Sequence, residues 1–399
     1  MKGKIVIFLT FLLISCNEEK SDILSLNTFP KNSSESFLLS TKNNLFISWT
    51  EQVADTNFLY ISKLEDNSWS QKSTIKKGTD WFVNWADFPS LSYNEISNSI
   101  FSFHLQKSSE ETFSYDVNYH INQGSTWKDM KKIHDDNTFS EHGFVSSIPY
   151  QNGFMVSWLD GRNTYGKGHD GHAKGAMTIR SAILDSSGNI IDNSLIDGMV
   201  CDCCQTSMAI SNNIPIVVYR DRSEGEIRDI FYSRYIDSNW TEPQPIHEDG
   251  WEINGCPVNG PNIDSYKENV VVSWFSASNG RPKVNLKFSR DSGRTFGDKI
   301  LIDNVENSPI GRVDVEFLNS DEVMVSWLST VKGKGKLLMR KINIDGEIGD
   351  IKVVDEISTE RSTGFPQIEQ FNDDIFISWT DNSQLNKVVK VTKFPVSVL

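Results

Sequence analysis

The segment DGMVCDCCQTS, residues 197–207, contains three cysteines within four positions, namely Cys201, Cys203 and Cys204. The chain has five cysteines in total, and another, Cys256, lies in the segment INGCPVNGP. Closely spaced thiols form disulfides, bind a soft metal ion or react as nucleophiles. Which chemistry applies depends on the compartment that the chain enters and on the loops that the fold brings together.

The first residues indicate the compartment. Lys2 and Lys4 precede an apolar run over residues 5–14, which is typical of a signal peptide and too short for a permanent transmembrane helix. The following segment, LISC, resembles the lipobox of bacterial lipoproteins, in which the cysteine becomes the lipidated first residue. An ordinary secretory signal with a chance cysteine is the alternative interpretation.

These features predict a signal peptide over residues 1–15 and a lipidated Cys16 that begins a polar tether over residues 16–21. We therefore expect an envelope protein that contacts the membrane through its lipid anchor only and faces the periplasm or the cell exterior. Disulfides form in such oxidising environments, so the remaining four cysteines are free to pair.

Charge and length restrict the partners and the architecture. Removal of residues 1–15 takes two lysines from a chain of net charge −14 and leaves 384 residues with a charge of −16. A protein this acidic is not expected to bind nucleic acid or an anionic membrane surface through its overall field. The length suits two ordinary domains or one large repeat fold.

An internal repeat decides between those two architectures. Seven short, β-branched runs each end in an aromatic residue followed by a polar one, and the aromatic residues are 52–61 positions apart. Such a period with several strands per unit predicts a β-propeller. The seven aromatic residues are Trp49, Phe103, Trp158, Tyr219, Trp274, Trp327 and Trp379.

Each repeat divides into four antiparallel strands, with the aromatic run as the second. The sequence thus predicts an all-β fold, one seven-bladed propeller over residues 22–399, with six blades as the fallback. The last repeat ends after its third strand. The N-terminal segment ILSLNTF is expected to supply the missing strand and close the ring, which removes the free sheet edges.

Two turns resemble the Asp-box of sialidase-like propellers. SRDSGRTF, residues 289–296, fits the pattern S-x-D-x-G-x-T-W/F, and HINQGSTW, residues 120–127, is a degenerate copy. In this box a carboxylate clips the turn, glycine adopts a positive φ, and the aromatic residue packs between blades. The resemblance therefore supports the fold more than any chemistry.

A wider resemblance covers most of the mature chain. The segments EHGFVS, WLDGR, CDCCQT, RDRSEGEIRD, GCPVNGP and GRVD are similar to those of exported bacterial proteins described as sialidase-like. True sialidases share an Arg-Ile-Pro segment before the first blade, an arginine clamp and a tyrosine nucleophile. This chain has no Arg-Ile-Pro, and its first arginine is Arg162. Glycoside hydrolysis therefore stays an open prediction with no assigned catalytic residue.

The blade topology predicts that the unusual motifs share one face. Loops after second and fourth strands lie on the same side of a propeller, here called the top face, where rigid folds of this kind present their sites. The candidate residues in those loops are Glu141, His142, Asp160, Arg162, His169, His172, Arg220, Asp221, Arg222, Arg228, Asp229, Arg312, Asp314 and the four cysteines.

Two interpretations of the charged residues stay open. Arginine binds planar carboxylates and phosphates at two points, which favours an anionic ligand. Alternatively, the charged residues pair with one another and lock the loops. The first interpretation predicts one top-face pocket lined by Asp160, Arg162, Arg220, Asp221, Arg222, Arg312 and Asp314.

The cysteines also have more than one interpretation. Disulfides need only the oxidising compartment, and the topology predicts that Cys256 lies near the CDCC segment. A metal site would combine Cys201, Cys203, Cys204 and Cys256 with His142 and suit copper or zinc. A reactive free thiol is the third possibility. No cofactor follows with certainty.

Three functions remain after this reading. The first is a monomeric envelope lipoprotein whose top face binds an anionic small molecule or, more specifically, a glycan, with or without hydrolysis. The second is a metal-binding lipoprotein that uses the cysteines and His142. The third is a scaffold that docks another envelope protein.

Overall fold

The chain folds as a seven-bladed β-propeller in the computed structural model. The structure describes residues 24–25, 29–124, 126–164, 175–382 and 386–399. Within these ranges no helix is both long and apolar enough to cross a membrane. The helical elements that are described are four single 3₁₀ turns, at Ser278–Gly280, Val305–Asn307, Arg361–Thr363 and Val396–Val398.

The strands of each blade pair antiparallel in chain order. After a two-residue strand β1 (Leu24–Ser25), blade one contains β2 (Ser33–Ser40), β3 (Leu45–Val53), β4 (Thr56–Glu65), β5 (Ser68–Trp69) and β6 (Ser73–Gly78). Blade two contains β7 (Leu91–Asn94), β8 (Ser99–Lys107), β9 (Tyr115–Gln123) and β10 (Thr126–Lys132). Blade three contains β11 (His142–Tyr150), β12 (Gly153–Asp160), β13 (Met177–Leu184) and β14 (Ile190–Val200).

The remaining blades repeat this order. Blade four contains β15 (Ser207–Ser211), β16 (Ile214–Arg220), β17 (Ile230–Ile236), β18 (Asn239–Trp240) and β19 (Gln244–His247). Blade five contains β20 (Asn262–Tyr266), β21 (Asn269–Ser276), β22 (Lys283–Ser289) and β23 (Ile300–Asp303). Blade six contains β24 (Pro309–Phe317), β25 (Glu322–Val331), β26 (Lys334–Asn343) and β27 (Lys352–Ile357), and blade seven contains β28 (Gln367–Phe371), β29 (Asp374–Asp381) and β30 (Val388–Pro395).

The seven aromatic runs are the second strands of the seven blades, so the prediction of seven blades is confirmed. All seven aromatic side chains are at most 5 % exposed. These strands are apolar on both faces because each blade packs between two others. Strands buried on both sides have near-continuous apolar runs rather than alternating ones.

The hydrophobic core is divided among the blade interfaces. Among the described residues, seven clusters of buried side chains are present, and each joins two adjacent blades. One cluster, for example, combines Phe101 and Phe103 of blade two with Phe154 and Trp158 of blade three. No blade buries its faces alone, so the ring holds together as a whole.

The turn at residues 289–296 has the hydrogen bonds expected of an Asp-box. Asp291 Oδ1 accepts a hydrogen bond from the Thr295 amide at 2.9 Å, and Asp291 Oδ2 accepts one from Thr295 Oγ1 at 2.7 Å. Gly293 has a φ of +70°, which favours glycine. Phe296 packs edge-on against Tyr232 of blade four at 5.1 Å between ring centroids. The turn is a structural element between blades four and five.

A two-residue strand near the N-terminus pairs with blade seven. Leu24 and Ser25 of β1 pair with Lys393 and Thr392 of β30. The rest of the predicted closing segment, apart from Phe29, lies outside the described residues. Closure through the whole N-terminal strand therefore stays a prediction.

Candidate functional site

The structure joins two of the four cysteines. Cys203 and Cys256 form a disulfide with their Cα atoms 6.0 Å apart, across 53 residues of sequence. The expectation that Cys256 lies beside the CDCC segment is confirmed. This bridge ties the loop before blade four to the loop before blade five.

The other two cysteines remain thiols in contact with each other. Cys201 and Cys204 are buried, and their sulfur atoms are 3.5 Å apart. Arg228 Nη1 donates a hydrogen bond to Cys201 Sγ at 3.2 Å, and the Asn259 amide donates one to Cys204 Sγ at 3.4 Å. This pair has the C-x-x-C spacing, a signal that the reasoning from sequence missed.

The two thiols differ in acidity. Burial raises the pKa of Cys201, but the hydrogen bond with Cys204 and the charge of Arg228 outweigh burial and lower that pKa to about 6. Burial and the neighbouring Cys201 raise the pKa of Cys204 well above its usual value. Cys201 is therefore the thiolate of the pair at neutral pH. Its sulfur lies 3.9 Å from that of Cys203.

His142 does not lie with the cysteines. Its Nε2 is 3.0 Å from Asp136 Oδ2 and 3.8 Å from Asp160 Oδ1, at the junction of blades two and three. The predicted five-ligand set of four cysteines and His142 is therefore not assembled. Two of those cysteines are joined in the disulfide, and His142 belongs to a separate cluster.

Asp160 and Arg162 bind each other. Arg162 Nε donates to Asp160 Oδ1 at 2.7 Å, and Arg162 Nη2 donates to Asp160 Oδ2 at 2.8 Å. The indole of Trp158 also donates to Asp160 Oδ2, at 2.9 Å. Burial raises the pKa of Asp160, but the Arg162 hydrogen bonds outweigh it and lower that pKa below its usual value. The guanidinium of Arg162 is thus already bound by a carboxylate of the protein itself.

The arginines of blade four are occupied as well. Arg222 donates to Glu226 Oε1 at 3.0 and 2.6 Å. Arg220 is 2 % exposed and donates to the backbone carbonyls of Asn259, Arg228 and Phe275. These contacts lock loops, as the alternative interpretation expected.

Asp221 has a different environment from its arginine neighbours. Its amide donates to the Asp229 carbonyl at 2.9 Å. Burial and the nearby carboxylate of Asp197 raise the pKa of Asp221 to about 7. Asp221 is therefore a weaker acid than usual, and its ionised form would repel an anion.

Arg312 and Asp314 lie at the inner end of blade six. Arg312 Nη1 donates to the carbonyls of Gly364 and Glu360 at 3.0 and 3.3 Å, and its guanidinium lies 4.7 Å from the centre of the Trp85 ring. Asp314 accepts hydrogen bonds from the amides of Val315 and Ile368 at 3.0 and 2.7 Å. The Arg312 amide also donates to Asn259 Oδ1 at 2.7 Å, and Asn259 is the residue whose carbonyl accepts from Arg220 of blade four.

The seven predicted ligand-binding residues therefore do not share one pocket. They lie in networks at blade three, blade four and blade six, of which the last two meet at Asn259. Of the seven, Asp314 lines the central cavity of the propeller. Cys16, His169 and His172 lie outside the described residues.

The central cavity of the propeller is lined by acidic residues. It has a volume of about 420 Å³ and is surrounded mainly by the innermost strands. Its described lining contains no lysine, arginine or histidine, and its acidic residues are Asp87, Asp264, Asp314, Glu316 and Glu369. The reasoning from sequence missed four of them, although PNIDSY, RVDVEFL and PQIEQF show acidic residues within inner strands.

Burial controls the protonation of these carboxyls. It raises the pKa of Asp87 and of Glu369 to about 7 and that of Asp264 to about 6. The pKa values of Asp314 and Glu316 are raised well above the usual range for the same reason. At neutral pH the cavity therefore offers proton-donating carboxyls as well as carboxylates.

One of these carboxyls belongs to a hydrogen-bonded acid network. The Tyr115 hydroxyl is 3.0 Å from Asp87 Oδ2 and 2.8 Å from Glu141 Oε1. One hydroxyl hydrogen serves one acceptor, so a second proton on either carboxyl is needed to satisfy both contacts. Burial raises the pKa of Glu141 to about 8, in agreement with that protonation. The arrangement can donate a proton at neutral pH.

Phe88 and Phe365 line the cavity, and Trp85 stacks on Phe365 beside it; this group of residues is here called the cavity mouth. It comprises Trp85, Phe88 and Phe365, and the nearby Arg312 and Arg361. Trp85 and Phe365 are nearly parallel, with centroids 5.9 Å apart, and Phe88 lies 6.3 Å from Phe365. All three rings are half-buried. Half-buried aromatic rings beside a few polar groups are typical of small-molecule sites.

The comparisons with known proteins bear on the fold. No protein-family model matches the sequence, and no curated protein matches it. Among solved structures, the phage phi92 endosialidase is similar with a TM-score of 0.52 and 10% identity, over 94% of this chain and 69% of that chain. The Trypanosoma rangeli sialidase matches with a TM-score of 0.49 and 10% identity, over 82% of this chain and 56% of that chain.

A third similar structure is the β-propeller domain of the Trilobed protease from Pyrococcus furiosus. Its TM-score is 0.48 at 10% identity, over 91% of this chain and 95% of that chain. The fold of this chain is thus a sialidase-like β-propeller, as the Asp-box predicted. Likeness at this identity defines architecture, whereas activity has to be argued from the site.

Proposed function

We propose that this chain is a lipid-anchored protein of the bacterial envelope whose propeller binds an acidic glycan at the cavity mouth. The glycan class follows from the sialidase-like architecture together with the half-buried rings of Trp85, Phe88 and Phe365. The proposal concerns binding, and hydrolysis is a separate activity to be assayed.

The observation that carries this proposal is a pair of arginines without an acidic partner. Among the described residues, neither Arg312 nor Arg361 pairs with a carboxylate, and the Arg312 side chain donates from Nη1 to the carbonyls of Glu360 and Gly364. Burial, followed by the charge of Arg361, lowers the pKa of Arg312 to about 10. Two neighbouring cations that repel each other favour an anion between them, and the arginine fork suits a sugar carboxylate.

The cavity supports one orientation of the ligand. Its buried carboxyls would repel an anionic group but can exchange hydrogen bonds with sugar hydroxyls. We therefore place the acidic group outside, between Arg312 and Arg361, and the hydroxyl-bearing part toward the cavity. The rings of Trp85 and Phe365 then contact the apolar face of a sugar ring.

The test compares an arginine at the mouth with one elsewhere on the surface. Arg361 is exposed and so is Arg290, which lies in the Asp-box turn. We expect Arg361→Gln to weaken binding of a uronic- or sialic-acid oligosaccharide by about 1.5–3 kcal/mol, the range for a lost charged hydrogen bond. Arg290→Gln should leave the affinity unchanged in titration calorimetry.

A second ligand checks the role of charge. The same oligosaccharide with its carboxyl groups reduced to alcohols should bind the wild-type chain as weakly as the acidic one binds Arg361→Gln. Equal affinity of the wild-type chain for both oligosaccharides would refute the arginine pair as the anion site. If the wild-type chain binds neither oligosaccharide, the glycan proposal is refuted for that ligand class.

A further inference from the structure

Two buried histidines at the junction of blades two and three stack against each other. The rings of His134 and His142 are parallel within 4°, with centroids 3.6 Å apart. The two residues are 4 % and 0 % exposed. Such close contact between two ionisable rings needs a stabilising partner, and the structure places a carboxylate on each side of the stack.

On one side, both rings contact the same carboxylate oxygen. His134 Nδ1 and His142 Nε2 are each 3.0 Å from Asp136 Oδ2. Arg162 Nη2 lies 3.2 Å from the same oxygen, and the other oxygen, Asp136 Oδ1, accepts a hydrogen bond from the Thr138 amide at 2.9 Å, so donors surround this carboxylate as they do an ionised one. An ionised carboxylate only accepts, so both histidine nitrogens donate to it. This assigns the protons of both rings to the Asp136 side.

On the other side, the remaining nitrogens then carry lone pairs. His134 Nε2 is 3.4 Å and His142 Nδ1 is 4.0 Å from Asp116 Oδ1. Within the described part of the chain, His134 Nε2 and Asp116 Oδ1 have no hydrogen-bond partner. The carbonyl of Ser140, also an acceptor, lies 3.2 Å from His142 Nδ1. Acceptors converge at this point. Lys132 Nζ pairs with the other carboxylate oxygen, Asp116 Oδ2, at 3.4 Å, so Asp116 Oδ1 and the two ring nitrogens are the atoms that a bound cation would satisfy.

The donor set and its spacing fit a divalent transition metal. The three ligand atoms of Asp116, His134 and His142 all lie within 4.8 Å of one another. Tetrahedral zinc with bonds of about 2.0–2.1 Å separates its ligands by about 3.3 Å, close to the shorter distance observed here. Histidines that bind metals usually donate their other ring nitrogen to a carboxylate, which is the role that Asp136 has.

We propose that Asp116, His134 and His142 form a binding site for a divalent transition-metal ion of the zinc class. Asp136 orients both imidazoles from behind, and Arg162 Nη2, 3.2 Å from Asp136 Oδ2, supports that carboxylate. The ion ties β9 of blade two to the start of β11 of blade three. The site is separate from the cysteines and from the cavity mouth.

The neighbouring histidine pair in blade two provides a matched control. His104 and His120 are also buried and stacked, with centroids 5.0 Å apart. There, however, His104 Nδ1 bonds directly to His120 Nε2 at 2.9 Å, so one nitrogen of each ring is occupied by the other ring. Asp129 contacts His120 at 2.9 Å as Asp116 contacts His134. Asp129→Asn therefore removes a comparable charge without removing a metal ligand.

The experiment is a Zn²⁺ titration of the full mature chain after chelator treatment, with calorimetry and metal analysis as readouts. We expect one tight Zn²⁺ per chain in the wild-type protein and in Asp129→Asn. Asp116→Asn should weaken binding by more than about 100-fold, and Asp136→Asn, which removes only the orienting carboxylate, by about 10–100-fold. Circular dichroism in chelator shows whether each variant is folded.

Cobalt separates this site from the cysteines. Bound Co²⁺ should show d–d absorption without a thiolate charge-transfer band, and its spectrum should be unchanged in Cys204→Ser. If the folded wild-type chain binds no metal, the proposal is wrong. A proton on His134 would then provide the positive charge that the two aspartates share. Equal losses in Asp116→Asn and Asp129→Asn, or a thiolate band that Cys204→Ser removes, would also overturn the proposal.

Discussion

Removing the disulfide between Cys203 and Cys256 should destabilise the propeller strongly. The bridge closes a loop across 53 residues, which spans blade four. The chain-entropy relation for a loop of this length gives about 4 kcal/mol at 25 °C, since the reduced unfolded chain gains the freedom that the bridge removes. The double variant Cys203→Ser/Cys256→Ser keeps the side-chain size and opens the loop.

The assay is urea unfolding of the mature protein without reductant. The matched control is Cys201→Ser/Cys204→Ser, which removes the same number of sulfur atoms and opens no loop. Its cost should stay below about 2 kcal/mol, the range for lost buried hydrogen bonds. Reductant should lower the stability of the wild-type chain toward that of the loop-opening variant and leave the latter unchanged.

A thiol count completes this test. Denatured wild-type protein should expose two titratable thiols from the described cysteines, Cys201 and Cys204, and the folded protein should react slowly because both are buried. A count of zero thiols would show a second bridge, between Cys201 and Cys204. A count of four would show that no bridge forms. A loss of less than about 1 kcal/mol in the loop-opening variant would refute the entropic reasoning.

Three further predictions address charge and anchoring. Arg162→Ala should lower the free energy of unfolding by about 1.5–3 kcal/mol, because Asp160 is fully buried and loses its charged donor. In a double-mutant cycle followed by urea unfolding, the same Arg162→Ala change should cost less when Asp160 has already been replaced by Asn. Glu369 has a raised folded-state pKa of about 7, so its contribution to stability is fully present below pH 4.5 and is lost as the pH rises toward and through 7. The variant Glu369→Gln, whose amide oxygen can still accept from the Ser40 amide, should therefore flatten the pH dependence of the unfolding free energy over that window. An unchanged pH profile would contradict the raised pKa. Cys16→Ala should move the protein from the membrane fraction to the soluble fraction on immunoblots, and continued membrane association through a retained apolar segment would disprove the lipid anchor.

The blade count could be predicted from the sequence because the information is local. Each second strand carries its own apolar run and terminal aromatic residue, as in NVVVSWFS and EVMVSWLS. The Asp-box is local as well, since Asp291, Gly293 and Thr295 close one turn among themselves. Patterns of this kind predict local structure without any knowledge of long-range contacts.

The pairing of side chains required the tertiary structure. Three cysteines within four positions are almost equally distant in sequence from Cys256, and only the backbone path of the loop selects Cys203. The same holds for the arginines, because Arg220 binds the Asn259 carbonyl of a neighbouring blade and Arg162 binds the adjacent Asp160. Sequence showed arginines in the correct loops but not whether a protein acceptor already occupied them.

The acidic cavity and the histidine site show the same division. By itself, the sequence determined an all-β repeat and the set of residues in each loop, since these depend on composition and short-range period, and it predicted an exported-type N-terminus. The tertiary structure alone decided that acids from several inner strands surround one cavity. It also decided that Asp116, His134 and His142 meet between two blades, because such contacts depend on the register and rotation of whole blades around the ring.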